Sequence, residues 1–236
     1  MTTSAIVIAI LISVLATFSA AAKMEVDSMK MKHTVDSMLK KAFAGVTMRP
    51  VKSTLESPFR NATLKEDYSE WFTTNIYSPD CSGEKAVQSN IALGVCVEGS
   101  VYKVEDDQKQ TLSIYFYDNP SCTGTPTKGE APLSGECSSP GTALVYSEGK
   151  PWESFSPSGS LTLEMSPDSC STPATWVFAY ALGVCYADQI ITSCSNGLGD
   201  AQSYANADCS GSYTDVKFGG ADCAVVPDFY LTNLCS

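Results

Sequence analysis

Ten cysteines are the residues of this chain whose type and spacing speak most directly of chemistry. Cys81, Cys96, Cys122 and Cys137 lie 15, 26 and 15 residues apart, and Cys170, Cys185, Cys209 and Cys223 lie 15, 24 and 14 apart. The text around them recurs as well. Ala92-Leu93-Gly94-Val95-Cys96 returns as Ala181-Leu182-Gly183-Val184-Cys185, and Ser78-Pro79-Asp80-Cys81 returns as Ser166-Pro167-Asp168-Ser169-Cys170. Self-similarity at an offset of about 89 residues is the mark of a repeated unit. No pair has the Cys-x-x-Cys spacing of a zinc knuckle or redox motif, and the chain has a single histidine, His33. Structural disulfides are therefore the expected fate of the thiols, with no metal and no cofactor. Two pairings compete. The even spacing suggests neighbours, 81–96, 122–137, 170–185 and 209–223; a strand meander would instead join 170 to 209 and 185 to 223. Cys194 and Cys235 fall outside the frame and are left for each other.

Other residues invite catalytic readings that the pattern does not support. A nucleophile-His-acid arrangement would have to use His33, which lies outside the cysteine-rich body. Asp80-Cys81-Ser82-Gly83 and Asp208-Cys209-Ser210-Gly211 resemble aspartic-protease loops only with a cysteine inserted, and Asp before a Ser-Gly corner is ordinary turn chemistry. Asn196-Gly197-Leu198-Gly199 lacks the third glycine of a nucleotide loop. Glu105-Asp106-Asp107 lacks the alternating ligands and glycine of a calcium loop and reads as a hairpin tip. A glycosidase would need only two carboxylates, but nothing in the sequence singles out a pair. No catalytic residue is assigned. Trp176, Phe178, Tyr180, Leu182, Val184 and Tyr186 share one face and could stack on sugar rings. The matching stretch in the first repeat, Val87, Ser89, Ile91, Leu93, Val95 and Val97, points instead to a core face, with Ala86, Gln88 and Asn90 as the solvent side.

These residues need strands to position them, and the sequence supplies strand signals from Trp71 onward. Leu112 to Tyr117 and Leu161 to Met165 alternate with a period of two between Asn/Asp/Pro/Ser/Gly clusters. Before them the pattern differs. Residues 1–22 read as a signal peptide: Ala5 to Phe18 is apolar and Ser19-Ala20-Ala21-Ala22 offers a cleavage site. Residues 23–66 read as a basic helical leader or pro-segment, with Met31, Val35, Met38 and Ala42 on one stripe, Pro50 closing the helix and Asn61-Ala62-Thr63 as a glycosylation sequon on Asn61. Then follow a first β module (67–147), a Ser/Gly/Pro-rich linker (148–159) and a second module (160–236). The expected fold is mainly β: an N-terminal helix and two tandem, duplicated, disulfide-stapled antiparallel modules.

Charge narrows the partners. The leader carries nine Lys/Arg against five Asp/Glu, whereas from Asp67 onward six Lys and no Arg face 21 Asp/Glu. Such an acidic body is a poor match for nucleic acid or anionic membranes, and no transmembrane helix is expected once the signal is removed. The expectation is a secreted or extracellular protein, with the cell surface or a vacuolar lumen as variants. It would have a non-catalytic binding or structural role toward an extracellular protein or carbohydrate. The alternatives are an acidic-pH carbohydrate hydrolase using a carboxylate pair, or a secreted inhibitor or effector acting on another protein.

Overall fold

A computed structural model describes residues 47–50, 68–106, 108–138, 141–156, 158–219, 223–226 and 229–235. The described residues are almost wholly β-structure. In chain order the strands are β1 (Thr47–Pro50), β2 (Glu70–Ser78), β3 (Glu84–Ala92), β4 (Cys96–Val97), β5 (Ser100–Val104), β6 (Thr111–Phe116), β7 (Thr127–Pro132) and β8 (Thr142–Glu148). After the 3-10 helix Pro151–Ser154 come β9 (Ser160–Ser166), β10 (Trp176–Ala181), β11 (Cys185–Tyr186), β12 (Gln189–Ser195), β13 (Leu198–Tyr204), β14 (Tyr213–Gly219), β15 (Ala224–Val226) and β16 (Phe229–Cys235). The helix expected over the leader falls mostly outside the described residues. Where the leader is described, at Thr47–Pro50, it is a strand paired with β7, so Met48 and Pro50 belong to a sheet and do not form a helix end.

One seven-stranded antiparallel sheet, ordered β15-β16-β9-β10-β3-β2-β8, runs through the body, flanked by the sheets β1-β7-β6-β5-β4 and β11-β12-β13-β14. Each half thus sends a hairpin into the central sheet, folds a four-strand meander and returns beside its own first strand, the first half with β8 and the second with the β15–β16 hairpin. The halves meet where β3 pairs with β10. There Ser89 faces Phe178, Ile91 faces Trp176 and Val87 faces Tyr180. Registers recur at the 89-residue offset that separates Cys96 from Cys185: Phe72 sits between Ile91 and Tyr146, and Leu161 sits between Tyr180 and Cys235.

Alternation decides which side chains go inward. Phe72, Ile91, Trp176, Met165 and Leu231 point from the central sheet at Val97, Tyr102, Leu112, Ile114 and Ala131 of the first outer sheet. That core draws on both halves. Among the described residues, Ile191 and Ala201 of the second outer sheet pack against Leu161, with Leu163, Tyr180 and Leu182 around them. On the opposite face the helix Pro151–Ser154 and the residue after it set Trp152 and Phe155 over Trp71, Ala92, Val177 and Ala179. Trp152 meets Trp71 edge-on at 4.8 Å.

The face expected to see solvent is buried. Asn90 is 0% and Gln88 5% exposed. They are tolerated because they satisfy one another. Thr73 donates to Asn90 Oδ1 (2.9 Å), Gln88 donates to Asn75 Oδ1 (3.0 Å), and Asn90 Nδ2 reaches Gln88 Oε1 and the Val177 carbonyl (both 3.3 Å). A polar alternation therefore marked an enclosed hydrogen-bond ladder, not a wet surface.

Neither disulfide scheme drawn from spacing is realised. The bonds are Cys81–Cys137, Cys96–Cys122, Cys170–Cys223 and Cys185–Cys209, nested alike in both halves, plus the expected Cys194–Cys235. Topology explains the nesting. Between Cys81 and Cys96 runs the nine-residue strand β3, roughly 30 Å long at about 3.3 Å per residue, far beyond disulfide reach. The return of β8 beside β2 instead brings Cys137 to the turn that holds Cys81, with Cα atoms 5.6 Å apart.

Candidate functional site

The aromatic stripe on β10 lies on the inner face. Trp176 is 6% exposed and its Nε1 donates to Ser89 Oγ at 3.0 Å. Its ring is 5.0 Å from Phe178, which stacks on Tyr180 at 6.4 Å. Phe178 and Tyr180 are half-buried, yet burial pushes the Tyr180 hydroxyl up to about 12 and raises Tyr186 as well, with the neighbouring Tyr180 adding to the latter. The stripe is a floor shared by the outer sheets: Trp176 joins the core under the first, and Tyr180 packs with that under the second. A sugar platform would need these rings open to solvent.

The other sequence candidates resolve into turns. Asp80 Oδ1 accepts from Ser82 N (2.8 Å) and Ser82 Oγ (2.6 Å); Asp208 Oδ1 accepts from Ser210 N (3.1 Å) and Ser210 Oγ (2.6 Å). These bonds stabilise the ionised form and hold both carboxyls below their ordinary value. Asn196 (φ 52°) and Gly197 (φ 72°) form the two-residue link between β12 and β13, the left-handed pair that such a hairpin requires. Asp106 accepts from the backbone of Gln110 (2.8 Å) and Thr111 (2.7 Å) and closes the β5–β6 tip. Asp107, His33 and the sequon at Asn61 lie outside the described residues.

Two polar clusters went unrecognised in the sequence. On the first outer sheet, Glu105 accepts from Ser113 (2.9 Å), Tyr115 (2.7 Å) and Lys128 (2.9 Å). Burial alone would raise its carboxyl, but Lys128, Tyr115 and Ser113 together outweigh that and lower it. At the end of the central sheet, Lys109 reaches from the β5–β6 tip to the Tyr146 hydroxyl and to Glu148, both at 2.7 Å, while Tyr146 donates to Glu70. Partial burial and its bond to Glu70 push the Tyr146 hydroxyl up to about 12, and Lys109 with Tyr146 holds Glu148 low. Lys109 itself is raised by its bonds to Glu148 and Tyr146.

Glu70 and Glu148 face each other across β2 and β8 and flank a shared group, as Glu105 and Glu130 flank Lys128 on the first outer sheet. The arrangement around Glu70 and Glu148 is a latch between the β5–β6 tip and the end of the central sheet. Both side chains are more than half exposed, whereas a general acid needs a carboxyl whose affinity for protons is raised by its surroundings. Every described carboxyl with a resolved shift moves the other way. Among the described residues no cluster of His, Cys, Asp and Glu has the geometry of a metal centre, and no helix is long and apolar enough to cross a membrane. A signal for the latch lay in the 89-residue offset, which sets the latch residue Tyr146 where the second half has Cys235. The offset of 89 residues takes Cys235 to Tyr146 and Cys194 to Glu105, so the first half holds other chemistry where the second holds its extra disulfide. Comparison with protein-family models, with curated proteins and with solved structures returned no match.

Proposed function

We propose that this is a secreted structural or binding protein of the cell surface or matrix, built from two copies of one disulfide-stapled β module and acting without catalysis on an extracellular protein or carbohydrate. The observation that carries the reading is the bonding of the cysteines. Five disulfides are consistent with an oxidising extracellular compartment, and the same nesting around each outer sheet is what copies of one module would give. Repeated units offer two related surfaces, which raise avidity without new contacts. The downward direction of the carboxyl shifts supports a non-catalytic role over a carboxylate-pair hydrolase.

Residues 1–22 would be removed as a signal peptide, Asn61 would carry a glycan, and the basic leader would remain separable from the acidic body. Purified secreted protein incubated with a panel of polysaccharides across acidic pH tests the central part. The expected result is no turnover. Turnover abolished by one Asp or Glu substitution that leaves the fold intact would replace this reading with the hydrolase. Sequencing the N-terminus of the same material locates the processed ends.

A further inference from the structure

The outermost strands of the two flanking sheets are treated differently. β7 is covered by the leader strand β1, but β14, its counterpart, ends its sheet with no partner strand among the described residues. Tyr213, Thr214, Asp215 and Lys217 are exposed, Tyr213 by 51%. The hairpin before β14 fixes which backbone groups face outward. Ala205 N donates to Ser212 O, so those two form a bonded pair across β13–β14. Alternation along an antiparallel ladder then turns the N–H and C=O of Tyr213, Asp215 and Lys217 away from β13. On β7 the bond from Leu133 N to Gln110 O sets the same phase and leaves Lys128 and Glu130 facing outward, where β1 pairs.

We propose that the free edge of β14 accepts the leader strand Thr47–Pro50 of a second copy of this chain, linking molecules head to tail. Charge selects this occupant. In its own molecule Arg49 stands opposite Lys128 and Thr47 opposite Glu130. The registers Phe116↔Thr127 and Ser203↔Thr214 place Asp215 where Lys128 stands and Lys217 where Glu130 stands. The same strand in the same register on β14 therefore sets Arg49 opposite Asp215, replacing a like-charge pair with an opposite-charge one. Main-chain bonds supply the affinity, as in other strand additions. Because donor and acceptor are different surfaces, the contact is heterologous and propagates unless it closes into a ring. The inference extends the structural reading given above by naming a partner. A monomeric protein would remove only this extension, whereas turnover of a polysaccharide would remove the reading itself.

Sedimentation velocity of the full secreted chain, from about 1 μM to about 1 mM, tests it, since pairing within one molecule competes at a millimolar effective concentration. The expected result is concentration-dependent growth that falls with added salt. Asp215→Arg and Arg49→Asp should each weaken association about tenfold, and the double exchange should associate more strongly than Arg49→Asp alone. Circular dichroism of each variant separates lost association from lost fold. A monomer across the whole range, oligomers indifferent to both substitutions, or a secreted chain beginning after Pro50 would overturn the proposal.

Discussion

Tyr146 and Cys235 occupy matching places on β8 and β16, opposite Phe72 and Leu161, and they fasten the two outer sheets by different means. In the second half a covalent bond runs from Cys194 on β12 to Cys235. In the first, the longer β5–β6 tip carries Lys109, which bonds Tyr146 and Glu148. The first outer sheet rests on Phe72, Tyr102, Leu112, Ile114 and Trp176, with Phe72 and Tyr102 stacked at 5.7 Å. Beneath the second, among the described residues, lie Leu161, Ile191 and Ala201, with Leu163, Tyr180 and Leu182 packed against them. A disulfide in the second half and an exposed ionic latch in the first are two ways to hold the same meander. Exposed ion pairs contribute little, so the latch suffices only where apolar burial already holds the sheet.

The largest expected effect comes from the covalent side. Replacing Cys194 and Cys235 by Ser should cost about 2–5 kcal/mol in denaturant unfolding, with faster amide exchange concentrated in β12, β13 and β14. Loss spread evenly over both halves would contradict the division. Next comes the matching pair of tight turns, Glu98-Gly99 and Ala187-Asp188. Gly99 has φ +75°, and a Cβ there would meet the Asn119 carbonyl oxygen at 2.9 Å. Gly99→Ala should cost about 1–3 kcal/mol. Asp188 already holds φ 70° with a side chain in place, so Asp188→Asn, which keeps a short polar side chain suited to the left-handed region, should cost less than Gly99→Ala. Equal costs at the two turns would show that the close approach at Gly99 is unimportant.

In the buried ladder, Asn90→Ala strips partners from the Thr73 hydroxyl and from Gln88, and should cost about 1–3 kcal/mol. An unchanged unfolding midpoint would mean that water replaces the amide. The smallest effect belongs to the latch. Lys109→Met should leave global stability nearly unchanged and raise exchange only in the β5–β6 tip and the end of β8.

Much of the architecture was legible in the sequence because period-two alternation, Asn-Gly turns and cysteine repeats are local signals. The inner face of β10 followed from comparing Trp176, Phe178 and Tyr180 with Val87, Ser89 and Ile91. The bonding of Cys81 to Cys137 was not legible, because it depends on β8 returning beside β2, a contact between distant segments. Gln88 and Asn90 were assigned to solvent for a related reason: a polar alternation looks the same whether water or a neighbouring amide satisfies it. The latch was hidden for another reason. Lys109, Tyr146, Glu148 and Glu70 form no motif along the chain, and only Tyr146, standing 89 residues before Cys235, hinted at it.

Hydrogen exchange on the intact protein at neutral pH and again below the ordinary Glu value of 4.5 tests the contrast most directly. Glu148 is held below that value in the folded state by Lys109 and Tyr146, so its contribution is present above the unfolded value and is lost as pH falls through the lower, folded one. The disulfide does not titrate. The account predicts that acid loosens the β5–β6 tip and the end of β8 more than the end of β16, and that joint replacement of Cys194 and Cys235 by Ser reverses that order at neutral pH. Equal loosening of both halves in acid, or an acid response confined to the second, would contradict it.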